Sequence, residues 1–319
     1  MSYYIGIDLG GTNIKGGVAD ETGNVLCKLS VPTEAEQGAR HVAENIVALA
    51  KRLVKESGRK ESEIKALGAA IPGMIDEKAG VVVYSNNLQW ENVPIAKIIE
   101  DGTGYPVAIG NDANVAALGE AAFGAAKTVS DSVTVTLGTG VGSGIVIGGK
   151  IYGGGGGAGA EIGHTVIHEG GELCTCGRRG CLEAYASATA LSRETRRAAR
   201  ENPDSALNRK GVPNEKVSGR DAFFYKDEDA AAHAVVEKYL DDLSAGLVNI
   251  ANVFRPQMIL LGGGVSAQGE NLTVPLQKRM DRDIYGGKKG PATKIMIAAL
   301  GNDAGFLGAV ALAAQIEKE

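Results

Sequence analysis

The stretch YYIGIDLGGTNIKGG, residues 3–17, returns in the middle of the chain as VTVTLGTGVGSGIVIGG, residues 133–149. Each has a β-rich apolar run, then Leu-Gly, a turn of Gly and Thr, a second β-rich run and a second Gly turn. Asp8-Leu9-Gly10 aligns with Thr136-Leu137-Gly138. Apolar runs of this length, bounded by glycine, read as buried strands. The repeat therefore reads as a duplicated β-hairpin opening, one at the head of each of two lobes. A third Gly turn, in QMILLGGGVSAQG (257–269), again follows a buried strand.

Outward from these hairpins, strands and helices alternate. TGN at 22–24 is a hairpin signal, and residues 35–57 carry helical spacing through Ala39, Val42, Ile46, Leu49 and Leu53. IKALGAAIPGMID (64–76) reads as a buried strand ending in a Pro-Gly loop. The stretch at 93–114 reads as a short helix and a strand, and 113–122 as a helix. Residues 183–200, 229–253 and the segment from 304 are expected as helices, and the polar stretch 201–219 as a mobile loop. This is an α/β architecture. The expected division is a smaller lobe of residues 1–110 plus about 302–319, and a larger lobe of residues 111–301.

A net charge of −5 argues against a nucleic-acid partner, since phosphate contacts need a basic surface. No apolar run is long enough to span a membrane, and the first residues lack the pattern of a secretory signal. A cytoplasmic protein is expected, in which clustered cysteines point to metal rather than to disulfides.

The Gly turns share one logic: backbone N–H groups turned inward cradle an anion, and a Thr hydroxyl adds a donor. None matches a P-loop or a dinucleotide fingerprint. Asp8, beside the first turn, suits a Mg²⁺ held directly or through water next to nucleotide phosphates; a turn-capping Asp is the simpler alternative. Lys15 reads best as a surface lysine on the second strand. GNDAN (110–114) closes a strand and opens a helix. Asp112 there can accept a hydroxyl proton, and Asn111 can bond a neighbouring hydroxyl. Helix capping competes with both roles. The near-identical GNDAG (301–305) makes Asp303 a rival to Asp112.

Cys174, Cys176 and Cys181 follow C-x-C-x₄-C. With one histidine they make a tetrahedral Cys₃His zinc site, closed to water and hence structural. His164 and His168 both satisfy the spacing. Such a crosslink would gather Glu161 and Glu183, and carboxylates accept paired hydrogen bonds from vicinal hydroxyls, so the loop suits a sugar clamp.

DLGGTNIKGG, IPGMID, SNNLQWENVP, GNDANVAALGE, TLGTGVGSGIV, GAEIGH, CTCGRRGCLEAYAS and LGGGVS stand in the order found in the ROK family of sugar kinases and repressors. The chain resembles that family over nearly its whole length. CGRRGCLEAYAS and NNLQWENVP make it most similar to the ATP-dependent glucokinases of bacteria. The resemblance implies an actin-like, hexokinase-type fold of two lobes around a cleft. It makes Asp112 the general base for phosphorylation of glucose at the 6-hydroxyl, with Asn111, Glu161, His164 and Glu183 on the sugar. His164, Cys174, Cys176 and Cys181 become the zinc ligands. Asp8 (through Mg²⁺), Gly10, Gly11, Thr12, Thr139 and Gly140 face ATP phosphates, with Gly263 and Gly264 near adenosine. His168 is left without a role. A homodimer or homotetramer is implied. A kinase of N-acetylmannosamine, N-acetylglucosamine, fructose or allose, and a non-catalytic sugar sensor, are the alternatives. Repressors of the family carry a DNA-binding segment ahead of the first Gly loop; only seven residues precede Asp8 here, so that reading is disfavoured.

Overall fold

A computed structural model describes residues 2–208 and 213–317. The chain divides into two compact units. One comprises residues 1–133, 144–160 and 299–319, the other residues 134–143 and 161–298. The boundary expected after residue 110 lies further along in this division.

The first unit is built on a five-stranded sheet. β1 (Tyr3–Leu9), β2 (Asn13–Asp20) and β3 (Val25–Pro32) form an antiparallel meander. β4 (Ile64–Ile71) pairs parallel with β1. After β4 come β5 (Met74–Asp76), β6 (Val81–Ser85) and β7 (Trp90–Val93), a small antiparallel sheet that the periodicity did not reveal. α2 (Ile95–Thr103) leads to β8 (Val107–Asn111), which pairs parallel with β4. α1 (Ala39–Ser57) lies between β3 and β4 in sequence and buries Val42, Ile46, Leu49 and Leu53 against Ile5, Ile7 and Leu67. The helical spacing at 35–57 thus yields a helix from Ala39, preceded by a 3₁₀ turn at Ala35–Gln37.

The opposite face of that sheet carries α9 (Ala304–Ile316). Gly17, Gly6 and Gly68 stand in register across β2, β1 and β4 and form a bare band under the helix. A Cβ at Gly6 would come within 2.0 Å of the Phe306 carbonyl, and one at Gly68 within 1.9 Å of the Ala309 carbonyl. α3 (Asp112–Ala122) packs on α9 in turn, where a Cβ at Gly308 would lie 1.8 Å from the Val115 carbonyl. Close backbone approach of this kind excludes every side chain but hydrogen. It explains why glycine recurs inside regular elements, and it sets the start of α3 beside the end of β1.

The second sheet repeats the first. Its order is β11-β10-β9-β12-β13, the same as β3-β2-β1-β4-β8 when each set is counted in chain order. Here β9 is Ser132–Leu137, β10 Val141–Ile147, β11 Lys150–Ile151, β12 Met258–Gly262 and β13 Lys294–Ile297. The duplication read from the two Gly-Thr turns therefore extends over five strands. The second unit contains α4 (Glu183–Ala186), α5 (Ala188–Glu201), α6 (Gly219–Tyr225), α7 (Ala230–Phe254) and α8 (Glu270–Asp283).

Two expectations need amendment. The helix expected over 183–200 is broken at Ser187, which is extended and whose hydroxyl caps α5 by accepting from the Ala190 amide. The stretch expected to be a mobile loop falls partly outside the described residues, at 209–212. Its described flanks are tied down: Asn208 donates to the carbonyls of Ala199 and Asn202, and Ser205 donates to Asp229.

Candidate functional site

In the first unit the site residues gather where β1 and β8 end. Asn111 is the N-cap of α3. Its Oδ1 accepts from the amides of Ala113 and Asn114, at 3.0 and 3.2 Å, and its Nδ2 donates to the Gly73 carbonyl at 3.0 Å. The capping role is thus filled by Asn111, and Asp112 becomes the first helical residue. The Asp112 carboxylate accepts from the Ala113 amide at 2.9 Å. Burial pushes its carboxyl above the usual range, and the backbone amides and the Asn111 side chain draw it back only in part. Burial likewise pushes Asp8 up; the Lys15 ammonium opposes that, and the charge on Asp112 adds to it. Lys15 lies opposite Asp8 in the β1–β2 register. Two carboxylates that each hold their charge reluctantly and feel one another suit a base beside a cation.

Asp303 sits in a different setting. It stands at the start of α9 with its side chain 41% exposed and pairs with Lys28 Nζ at 2.8 Å. The two near-identical GNDA stretches thus give one half-buried carboxylate and one surface ion pair.

The two Gly-Thr turns are braced by similar means, each within its own unit. Thr33, fully buried, donates its hydroxyl to the Gly10 carbonyl at 2.7 Å and its amide to the Thr12 carbonyl at 2.9 Å. Gly11 and Thr12 are left exposed at the tip. In the second unit the Thr189 hydroxyl donates to the Thr139 carbonyl at 2.8 Å, and the Ala188 amide to the Gly138 carbonyl at 2.8 Å. Neither Thr33 nor Thr189 stood out in the sequence, because each acts from a distant element. Gly263 carries φ +79° and a Cβ there would meet the Leu137 backbone at 2.6 Å. Gly264 borders a cavity of about 220 Å³, together with Ser192, Ser218, Arg220 and Gln268. Sequence reasoning reached only the glycine of this group; α6 supplies Arg220 from beyond a long polar stretch.

The candidate metal loop lies wholly in the second unit. His164 ends a 3₁₀ turn, Ile162–His164, which hangs from Ser143 through the Ile162 amide. One ligand atom each from His164, Cys174, Cys176 and Cys181 all lie within 4.8 Å of one another. Cys174 Sγ is 3.6 Å from His164 Nδ1, and Cys176 Sγ is 3.8 Å from Cys181 Sγ. A tetrahedron with Zn–S of about 2.3 Å and Zn–N of about 2.0–2.1 Å has edges of about 3.8 Å between sulfurs and about 3.6 Å between sulfur and nitrogen. These two separations match such edges, and the four side chains form a candidate site for such an ion. His168, the alternative ligand, is engaged elsewhere: its Nε2 meets Asp242 Oδ1 at 2.8 Å.

Glu183 opens α4 beside this cluster. Its Oε2 accepts from the Val141 amide at 3.0 Å, and its Oε1 from the Thr175 hydroxyl at 2.6 Å and the Cys174 thiol at 3.5 Å. Burial alone would raise its pKa, but these donors outweigh it and hold the carboxyl below the usual range. Glu161 is exposed and its carbonyl accepts from the His164 amide at 3.1 Å.

The model of the ROK family matches residues 4–316, and the chain belongs to that family. It has the actin-like ATPase fold of that family's glucokinases and hexokinases. A glucokinase of Halalkalibacterium halodurans is 37% identical over 309 residues, which cover 96% of this chain and 93% of the relative. A crystal structure of a ROK family glucokinase from Streptomyces griseus, in complex with glucose and AMPPNP, is 35% identical with a TM-score of 0.78. It covers 98% of this chain and 100% of its own. The ROK hexokinase from Thermus thermophilus is 35% identical with a TM-score of 0.83, over 99% of both chains. Among the described residues no helix is long and apolar enough to cross a membrane.

Proposed function

We propose that this protein transfers the γ-phosphoryl group of ATP to the 6-hydroxyl of glucose. The observation that carries the reading is end-to-end similarity to glucokinases, one of them bound to glucose and a nucleotide. The raised pKa of Asp112 supplies the chemistry that similarity alone does not.

In this reading Asp112 accepts the proton of the sugar's primary hydroxyl as that oxygen bonds to the γ-phosphorus. The bond from phosphorus to the bridging oxygen breaks, and ADP leaves with that electron pair. A carboxylate whose pKa burial has raised is the stronger base for this step. Asn111, Glu161, His164 and Glu183 hold ring hydroxyls. Glu183, kept ionised, is the acceptor best prepared for that work. Gly10, Gly11 and Thr12, and likewise Thr139 and Gly140, offer donors to phosphates. Gly263 and Gly264 take the adenosine, and Ser218, Arg220 and Gln268 add polar groups beside it. Asp8 receives the Mg²⁺ that accompanies ATP, directly or through water.

Zinc would be held by His164, Cys174, Cys176 and Cys181. With four protein ligands the chemistry it supplies is a crosslink that fixes the loop and the His164 ring, leaving no open position for a Lewis acid. The remaining parts of the reading are a cytoplasmic location and a homodimer or homotetramer.

ADP release measured over a panel of hexoses with ATP and Mg²⁺ tests the proposal. Glucose should give the highest kcat/KM. Preference for N-acetylmannosamine, N-acetylglucosamine, fructose or allose would keep the chemistry and replace the substrate. Sugar binding without turnover would leave a sensor.

A further inference from the structure

We infer that His168, through Asp242 and Tyr185, positions the metal loop for hexose binding without holding the metal; this deepens the kinase reading above and rests on it. The need for such a device follows from the loop's construction. All four metal ligands lie between residues 164 and 181. A metal crosslink therefore fixes the loop's internal shape and ties it to the start of α4, where the Ala184 amide donates to the Cys181 carbonyl, and it does not reach α7. Regular structure contributes little: the stretch pairs only through isolated bridges, Val166 with Cys181 and Leu173 with Arg179.

His168 meets three parts of the surroundings at once. Its Nε2 lies 2.8 Å from Oδ1 of Asp242, whose side chain is 7% exposed on α7 and which also binds Lys238 Nζ at 2.8 Å. Its ring packs edge-on against Tyr185 of α4, with centroids 4.7 Å apart. Its amide, together with that of Ile167, donates to the carbonyl of Gly180, the residue before Cys181. Tyr185 in turn accepts from the Glu172 amide at 2.7 Å and stands two residues after Glu183. The imidazole thus joins α7 to the helix that bears Glu183, while the backbone amide of the same residue holds the chain beside Cys181.

The other ties reach α4 and α5 at the far end of the loop, where Glu172 pairs with Arg197 at 3.5 Å and the Thr175 hydroxyl donates to Glu183; the link to α7 through Asp242 is the one that the imidazole supplies. Tyr185, Lys238 and Asp242 border an open cavity of about 560 Å³, lined also by Leu191 of α5 and Ala234 of α7. Without the imidazole the loop keeps its ion but loses its seat, and Glu183 and His164 lose their shared alignment. Supporting contacts around a metal site commonly matter about 10–100-fold.

The test is His168→Ala, with His168→Gln as the conservative partner, because a glutamine amide can still donate to Asp242. Four quantities are measured: zinc per chain, kcat, KM for glucose and KM for ATP. The expected result for His168→Ala is zinc unchanged, KM for glucose up about 10-fold or more, and kcat and KM for ATP little changed. His168→Gln should recover most of the loss. A glucose KM within about twofold of wild type, loss of zinc, or an equal rise in both KM values would each overturn the inference. Should His168→Ala fail to fold, Asp242→Asn is read by the same four quantities. A wild type that phosphorylates no hexose overturns the kinase reading and this inference together. A working wild type that His168→Ala matches overturns the inference alone.

Discussion

Asp112 and Glu183 are each the first residue of a helix, and a helix N-terminus favours negative charge. They are nevertheless driven in opposite directions. Asp112 is held above the usual carboxylate range and Glu183 below it. The cause is the supply of donors. Asn111 already takes the capping amides of α3 and leaves Asp112 too few donors to offset its burial. Glu183 receives the Thr175 hydroxyl and the Val141 amide. One carboxylate is left eager for a proton, the other is kept as an acceptor. On the proposed function, a base and a binding residue are thus made from the same chemical group by what surrounds it.

The sharpest way to break this contrast is Asp112→Asn. Loss of the base should lower kcat about 10³-fold or more, while calorimetry still detects glucose binding. The linkage sign adds a second readout. A raised folded-state pKa means that stability contributed by Asp112 is present below its unfolded pKa and is lost as pH rises through the folded value. At neutral pH the ionised group therefore opposes folding, and Asp112→Asn should keep or raise Tm. A variant with near-normal kcat would remove Asp112 from its role. Next in size is Cys176→Ser, which should release zinc and raise KM for glucose about 10–100-fold; metal analysis beside steady-state kinetics checks both halves.

Glu183→Gln should raise KM for glucose about 10-fold and lower kcat less than the Asp112 substitution does. Its linkage has the opposite sign. Stability from Glu183 is present above its unfolded pKa and is lost as pH falls through the depressed folded value. Acid unfolding of the variant should accordingly depend less on pH in that range. The wild-type profile of kcat should fall on its acid side around a pKa above the usual aspartate range, since Asp112 must be ionised to act. A fall at or below the ordinary value would contradict the burial argument. Smallest of all, Asp303→Asn should leave kcat within about twofold, because a surface ion pair contributes only about 0–1 kcal/mol. A large loss there would reverse the choice between the two GNDA stretches.

Much of this was legible before any coordinates. The repeated Gly-Thr hairpins announced two sheets, and both took the same strand order. The spacing C-x-C-x₄-C announced that the three thiols would gather, and they meet with His164 in a cluster that could hold a metal ion. Helical periodicity located α1, α3, α7 and α9 within a few residues. What was not legible came from short or irregular elements. The sheet β5-β6-β7 is too brief for periodicity to register, and Ser187 breaks a helix whose apolar pattern runs on without interruption.

The choice between His164 and His168, and between Asp112 and Asp303, belonged to tertiary structure. Chain order and residue type determined the fold, the metal-binding residue types and the location of the Gly turns, because these depend on local backbone geometry and spacing along the chain. Which histidine stands among the thiols, which aspartate is taken up in a surface ion pair and which carboxylate is supplied with donors depends on Asp242, Lys28, Thr175 and Val141. These groups stand on elements remote in sequence, and only packing brings them to their partners.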